Sequence, residues 1–419
     1  MVWEVGGRKA PRLPDSIGRG KGIARFTFRT AGETHGPALV TIAEGLPAGL
    51  PVRAGDIDRE LARRQVGYGR GERMQIEKDE VEILSGVRFG KTLGGPVAML
   101  VRNRDWVNWQ VKMAQEGDGA DVPPLNTARP GHADLGGVLK YAHQDVRSVL
   151  ERASARETAA RVMAGALAKR FLAELGVTVV GHVLSIGGIR VSPEVEGNAG
   201  IAARAEASPL RMADPQAEAK VVRMIDEAKE AGTTAGGIVE VIARGVPPGL
   251  GSYVAWDRRL DGRLGQALMS IHAIKGVEVG GGMSLAALPG AEVHDEVFPG
   301  GDPANRFLGK FLLPFHRETN RAGGLEGGMT DGESVVVRAA MKPIPTQSRP
   351  LRTVTVDRWE PTTAHRERSD VCAVPAASVV AEAMVAIVLA DAFLEKFGGD
   401  AMRDILYNYT QYLRRICGE

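Results

Sequence analysis

The chain has 419 residues, is 44% hydrophobic and carries a formal charge of +2, so it can fill a large core but has no global polycation to hold nucleic acid or an anionic membrane. Two cysteines, Cys372 and Cys417, exclude a disulfide framework and fit a reduced, cytoplasmic setting. Glycine is frequent, 53 residues against a usual share of roughly 7%, which implies many turns and close backbone approaches.

The first 24 residues lack the apolar central run of a signal peptide and read as a flexible, basic extension. From Arg25, short β-like runs alternate with Ala-rich helices. "ALVTIAEGLP" (38–47) and "PVAMLVRN" (96–103) read as strands bounded by Gly and Pro. Asp56 to Arg64 reads as a short polar helix, and residues 111–128 as a loop broken by Pro123-Pro124. The clearest helix begins near Ser154. Ser154 and Glu157 have the S-x-x-E spacing of a capping box, followed by an Ala-rich run to about Leu175. "HVLSIGGIRV" (182–191) returns to strand character. Residues 192–230 read as helical or looped surface, and "GGIVEVIARGVPPGLG" (236–251) as a strand and a turn. The most apolar helix, Ala376 to Phe397, is interrupted by Glu382 and Asp391. Its uncharged run, Ala383 to Ala390, is too short to span a bilayer, so a soluble protein is expected. Residues 399–419 are expected to form a tail or short helix. Thr92-Leu-Gly-Gly-Pro-Val and Thr234-Ala-Gly-Gly-Ile-Val match at four positions. That echo fits either an internal duplication or chance in a Gly-rich chain.

Chemistry-bearing residues gather in glycine-framed loops. In "ARRQVGYGRGERM" (62–74), Arg63, Arg64, Arg70 and Arg73 bracket a G-x-G-x-G loop. Guanidinium forks bind phosphate or carboxylate; a solvated basic loop is the equal alternative. Arg152, Ser154 and Arg156 sit at a helix start, where free N–H groups favour an anion. "AGETHGPA" (31–38) and "RPGHADL" (129–135) each hold a histidine, His35 and His132, in a Gly-flanked turn beside an acid. His35, His132, His143 and His272 lack metal-ligand spacing, so no metal is expected. Asp370 follows Arg368 just before the last apolar helix, and Lys342 and Thr346 lie in the stiff loop "MKPIPTQSRP" (341–350). "GVRFGKT" (86–92) is one residue short of a P-loop, and "GVEVGGGMSL" (276–285) lacks the G-x-G-x-x-G spacing of a Rossmann fingerprint. These residues alone point to a soluble enzyme for a phosphate-bearing small molecule.

Ten segments then occur in the order found in chorismate synthase. They are "AGETHG", "RRQVGYGRGERM", "LGGPVAMLVRNRDW", "RPGHADL", "RASARETAARV", "GGIVEVIARGVPPGLG", "MSIHAIKGVEVGGG", "LEGGMTDG", "MKPIPT" and "RSDVCAVPAA". The chain resembles that family from Arg25 to Gly398, with Thr34 in place of the usual serine. The resemblance implies one catalytic domain over 25–398. Its fold is an α/β (α+β) sandwich built by duplication, with sheets enclosing central helices, not a Rossmann fold, and it assembles as a homotetramer. It implies an anti-1,4-elimination that converts 5-enolpyruvylshikimate-3-phosphate to chorismate and phosphate. Reduced FMN is required without net redox change and is supplied through an external reductant.

By the same resemblance, His35 acts as general acid toward the leaving phosphate. His132 protonates or holds the reduced flavin at its N1–C2 edge, and Asp370 works with flavin N5 to remove the C6 proton. Arg64, Arg70, Arg129, Arg156 and Arg368 clamp substrate; Arg64 and Arg70 also fall on positions ascribed to NADPH. Flavin contacts map onto Arg152, Ala153, Ser154, His272, Ala273, Gly327, Lys342, Pro343, Ile344, Pro345, Thr346 and Arg368. The alternative enzyme is an NADPH-dependent flavin oxidoreductase acting on a phosphorylated small molecule, which would consume one reductant per product. A non-enzymatic RNA-binding alternative is disfavoured by the near-neutral charge and the lack of aromatic stacking motifs.

Overall fold

The computed structural model describes residues 25–71, 78–192, 200–303, 305–365 and 370–418. The expected extension over 1–24, and the Arg73 and Arg368 positions, lie outside them.

Strands β1 (Thr27–Ala31), β2 (Ala38–Glu44), β3 (Val81–Ile83) and β4 (Val97–Arg102) form an antiparallel sheet in the order β1-β2-β4-β3. Along β2, Leu39, Thr41 and Ala43 are buried while Ile42 and Glu44 are exposed. That period of two belongs to a sheet covered on one face. The Ala-rich α2 (Thr158–Glu174) packs on the covered face, and α1 (Ala54–Gln65) packs on α2 and β3.

The second half repeats this plan. Strands β5 (Thr178–Ile186), β6 (Gly237–Arg244), β7 (Ile274–Val279) and β8 (Val335–Met341) give the order β5-β6-β8-β7, with the short strand Ile189–Arg190 added at the β5 edge. Helix α3 (Leu260–Met269) takes the place of α1, and α4 (Val374–Phe397) that of α2. α4 packs on β5, β6 and α2, so two helical layers lie between two sheets.

The duplication is real, but its sequence mark is not the Thr92/Thr234 echo. Thr234 precedes β6, whose counterpart is β2, whereas Thr92 precedes β4. The equivalent of Thr92 is Thr330. Thr92 Oγ1 donates to Pro47 O at 2.5 Å and accepts from Leu50 N at 3.0 Å. Thr330 Oγ1 donates to Pro247 O at 2.7 Å and accepts from Leu250 N at 2.8 Å. The turns they hold are Gly45-Leu-Pro-Ala-Gly-Leu50 and Gly245-Val-Pro-Pro-Gly-Leu250. Gly45, with φ of 92°, needs its missing Cβ, because that atom would lie 1.5 Å from Arg25 O.

Among the described residues, α4 alone is long and apolar enough to cross a membrane, and its apolar stretch lies wholly inside the fold. Being apolar on all sides, it suits a central layer. Its two buried charges, Glu382 and Asp391, are compensated locally. Glu382 accepts both Arg63 terminal nitrogens and Gly181 N at 2.9 Å, and pairs with Lys169. Asp391 accepts Arg25 N at 2.6 Å and Phe26 N at 2.8 Å and pairs with Arg263, anchoring the start of the first strand. The terminal segment, expected as a tail or short helix, is a 16-residue helix, α5 (Met402–Cys417). Met402, Ile405, Tyr409 and Leu413 recur at helical spacing and join the main core.

Candidate active site

The loop between β1 and β2 carries His35. Glu151, itself only 2% exposed, accepts His35 N on Oε2 at 2.8 Å and meets His35 Nδ1 through Oε1 at 2.8 Å. Thr34 donates its backbone N–H and its Oγ1 to the Glu151 carbonyl, both at 3.0 Å. Trp109 stacks on the imidazole with ring centroids 3.7 Å apart and planes 11° from parallel. His35 Nε2 points toward Asp105 Oδ2, 4.0 Å away.

Asn103, at the end of β4, links this loop to an arginine cluster. Its Nδ2 donates to Gly36 O at 2.7 Å and Glu33 O at 3.0 Å, while its Oδ1 accepts from Arg156 Nε at 3.1 Å. Arg156 Nη1 also donates to Asp79 at 2.8 Å. Arg64, from the last turn of α1, donates to Thr158 Oγ1 at 2.9 Å and Ala155 O at 3.1 Å. Its Nη1 is buried, lies 3.7 Å from Asp79 and has no hydrogen-bond acceptor among the described residues. Burial pushes the Arg64 guanidinium down to about 9, with Asp79 opposing and Arg156 and Arg70 assisting, so it remains a cation at neutral pH. Arg70 Nη1 meets Asp370 Oδ2 at 2.8 Å, and Gly71 N donates to Asp370 Oδ1 at 2.7 Å. Three guanidiniums thus share two carboxylates.

The expected capping box forms only in part. Ser154 Oγ accepts Arg156 N at 3.3 Å and opens a 3-10 turn, Ala155–Glu157, before α2. Glu157 instead accepts Thr30 Oγ1 at 2.7 Å and Arg161 Nε at 2.9 Å. Arg63, beside Arg64 in sequence, turns away from the site to Glu382, Glu206 and Glu60.

A second cluster surrounds His132, which pairs with Asp134 through Nδ1. Asp134 also accepts Arg129 Nε at 2.8 Å, and Arg129 Nη1 donates to Thr346 Oγ1 at 3.1 Å. Arg129, one of the expected substrate clamps, is therefore engaged in holding this loop. Burial favours a neutral Asp134, but hydrogen bonds from His132 and Arg129 overcome it and hold the carboxyl well below the usual range. Lys342 donates to Gly131 O, and Thr234 Oγ1 donates to Ile344 O at 2.7 Å, which fastens the Lys342–Thr346 loop against the His132 turn. Arg152 donates to Thr30 Oγ1 at 2.8 Å and Thr30 O at 3.1 Å. Ala153 packs against the small core of Val138, Val146, Val149 and Leu150.

His272 lies within electrostatic reach of His132, Arg152, Arg161 and Glu157. Burial pushes its pKa down to about 4; Glu157 opposes this, and the neighbouring cations add to it. The folded imidazole is thus kept neutral while the unfolded chain takes up a proton near the ordinary 6.5. Stability contributed by His272 is lost as pH falls from about 6.5 toward about 4. His272→Gln should flatten the stability–pH curve in that window, read from urea midpoints at several pH values. An unchanged slope would assign the acid loss to other groups.

Gly327 stands at the opposite end of α3 from His272. It lies in the turn joining Leu325–Glu326 to Met329–Thr330, and the next residue, Gly328, accepts Leu260 N at the first residue of α3. His272 follows the other end of that helix, about 15 Å away by helical rise. Sequence reading missed Glu151, Asn103, Asp79, Asp105 and Trp109 as site members. Asn103 and Asp105 lie within the "VRNRDW" stretch and Trp109 three residues beyond it; the order of that stretch signals a motif but not their partners.

The His132 cluster fits a flat, anionic cofactor such as a flavin. Lys342, Arg152 and His132 converge there, and among the described residues the buried Nδ1 of His272 has no hydrogen-bond partner. Gly131, with φ of 80°, leaves room beside Lys342, since a Cβ there would sit 3.2 Å from Nζ.

A family profile described as chorismate synthase matches residues 26–394. The chain belongs to the chorismate synthase family. Chorismate synthase of Pelobacter propionicus is 55% identical over 390 residues, 93% of this chain and 98% of that protein. The Desulforudis audaxviator relative, also named chorismate synthase, is 57% identical over 392 residues, 93% and 97% of the two chains. A crystal structure titled chorismate synthase superposes with a TM-score of 0.74 at 43% identity, covering 94% of this chain and 99% of that one. At this identity and coverage the chain is an enzyme of the chorismate synthase family with that family's α+β fold.

Proposed function

We propose that the chain forms chorismate and phosphate from 5-enolpyruvylshikimate-3-phosphate, as a lyase of the shikimate pathway, by an anti-1,4-elimination without net redox change. The observation that carries this reading is the orphaned Nη1 of Arg64, a buried cationic donor beside Arg156 and Arg70. A buried charged donor without an acceptor is costly, and an anion of the substrate resolves it. Family likeness supports the identity of that anion.

Lys342, Arg152, His132 and the His272–Ala273 turn would hold reduced FMN, which would supply electron density to stabilise charge developing as phosphate departs. The chain does the rest. Arg64, Arg70 and Arg156 hold and orient the substrate's phosphate and carboxylates. His35 gives a proton from Nε2 to the leaving phosphate oxygen as the C–O bond breaks. Asp370 is the acceptor for the C6 proton. Its oxygens meet Arg70 and Gly71, so a substrate anion that draws Arg70 away removes that contact from Oδ2. His132 shares its Nδ1 proton with Asp134, which fixes the face it presents to the cofactor. We infer further that it works as a homotetramer in the cytoplasm and draws on an external reductant; the family likeness supports this reading.

Arg64→Ala tests the anion reading. Substrate binding should weaken roughly 10- to 100-fold, the loss expected for a hydrogen bond to a charged group, while FMN binding changes little. Titration calorimetry with each ligand in turn measures both. Equal loss of the two would show that Arg64 supports the fold rather than the substrate.

A further inference from the structure

The geometry points to Glu151 as the positioning residue for His35, an inference that rests on the reading of His35 as proton donor. Glu151 lies 116 positions away and is buried behind the ring. Its two oxygens serve one residue. Oε2 takes the His35 backbone N–H and Oε1 faces Nδ1, each at 2.8 Å. A carboxylate only accepts hydrogen bonds, so the Nδ1 between them carries the proton. Nε2 is thereby the nitrogen left to exchange a proton with substrate, and it is the one that faces outward to Asp105 at 4.0 Å.

Two further contacts restrict the ring. Thr34 binds the Glu151 carbonyl through two donors, so the loop carrying His35 and the segment carrying Glu151 move together. Trp109 covers one face of the imidazole at 3.7 Å and is tied by its indole N–H to Asp105 at 3.2 Å. Glu151 therefore does not touch substrate. It fixes which nitrogen donates and where that nitrogen points. When the proton passes from Nε2 to the phosphate oxygen, the electron pair of the C–O bond leaves with phosphate, and the Nδ1 proton stays on Glu151's side.

Glu151→Gln is the informative change. Glutamine has one acceptor oxygen and a donor amide, so it cannot satisfy both the backbone N–H and Nδ1–H. The variant should lower kcat by about 10-fold or more, bounded by the loss of about 10²–10⁴-fold expected when the acid itself is removed, with KM changed little. Combined with His35→Ala, it should add no further loss, because its effect passes through that ring. An independent readout is the fluorescence of Trp109, isolated by difference against Trp109→Phe. Release of the stacked imidazole in Glu151→Gln should change that component in the resting enzyme.

Loss of kcat that persists undiminished in the His35→Ala background, with Trp109 fluorescence unaltered, would overturn the assignment. If His35→Ala turns over normally while Trp109 fluorescence still responds to Glu151→Gln, the positioning contact stands and the functional reading of His35 is what fails.

Discussion

His35→Ala should reduce turnover by about 10²–10⁴-fold, the contribution usual for a positioned general acid. The imidazole combines a proton-exchanging nitrogen with a fixed direction. Glu151 holds one side of the ring, Trp109 covers one face, and Nε2 faces outward. FMN binding should persist, since the Lys342, Arg152 and His132 contacts are carried by other loops. Steady-state chorismate formation, paired with a flavin titration of the same preparation, checks both halves. Unchanged turnover would remove His35 from the chemistry. Lost flavin binding would show that the β1–β2 loop supports the cofactor site as well.

Asp370→Asn should produce the second large loss. The amide keeps the shape and one acceptor oxygen but has no basicity to accept the C6 proton. Its contact with Arg70 or with Gly71 must also change. If the Asn Oδ1 still accepts Gly71 N, its amide faces Arg70, donor against donor, in place of the present 2.8 Å ion pair. Substrate and reduced cofactor should still bind, and chorismate should form about 10²-fold more slowly or worse. Rapid-quench measurement of a single turnover separates the chemical step from release. Normal single-turnover rates would leave Asp370 as a residue that only orders the start of α4, and another proton acceptor would be required.

Much of the fold was legible because local rules and tertiary packing agree. The Ala-rich α2, the apolar α4 and the strand at 236–244 follow directly from composition and bounding Gly and Pro. Where reading failed, the deciding contact was long-range. Ser154 and Glu157 have capping-box spacing, yet Glu157 is drawn to Thr30 in β1 and to Arg161. The Thr92 and Thr234 segments look alike, but the hydrogen bonds that mark the repeat belong to Thr92 and Thr330. Helix α5 was underestimated because its apolar residues are spaced one per turn among many polar ones, and only the core they enter shows the pattern's purpose.

The site followed the same division. Glycine-framed loops marked where His35, His132 and the arginines would lie, without revealing which side chains hold them. Arg63 and Arg64 are neighbours in sequence but point about 100° apart on a helix. One joins the Glu382 network in the core and the other enters the site. Glu151 lies beside Arg152 with no local pattern to distinguish it, and its role emerges only when the β1–β2 loop folds back on it.

The central claim is an elimination that needs reduced flavin and does not consume it. The most direct test is a single anaerobic cuvette holding the enzyme, 5-enolpyruvylshikimate-3-phosphate and a small amount of reduced FMN, with flavin absorbance and chorismate followed together. The account predicts many chorismate molecules per flavin, with the flavin still reduced when substrate is exhausted. Oxidation of one flavin for each product formed would contradict it and identify a flavin oxidoreductase instead.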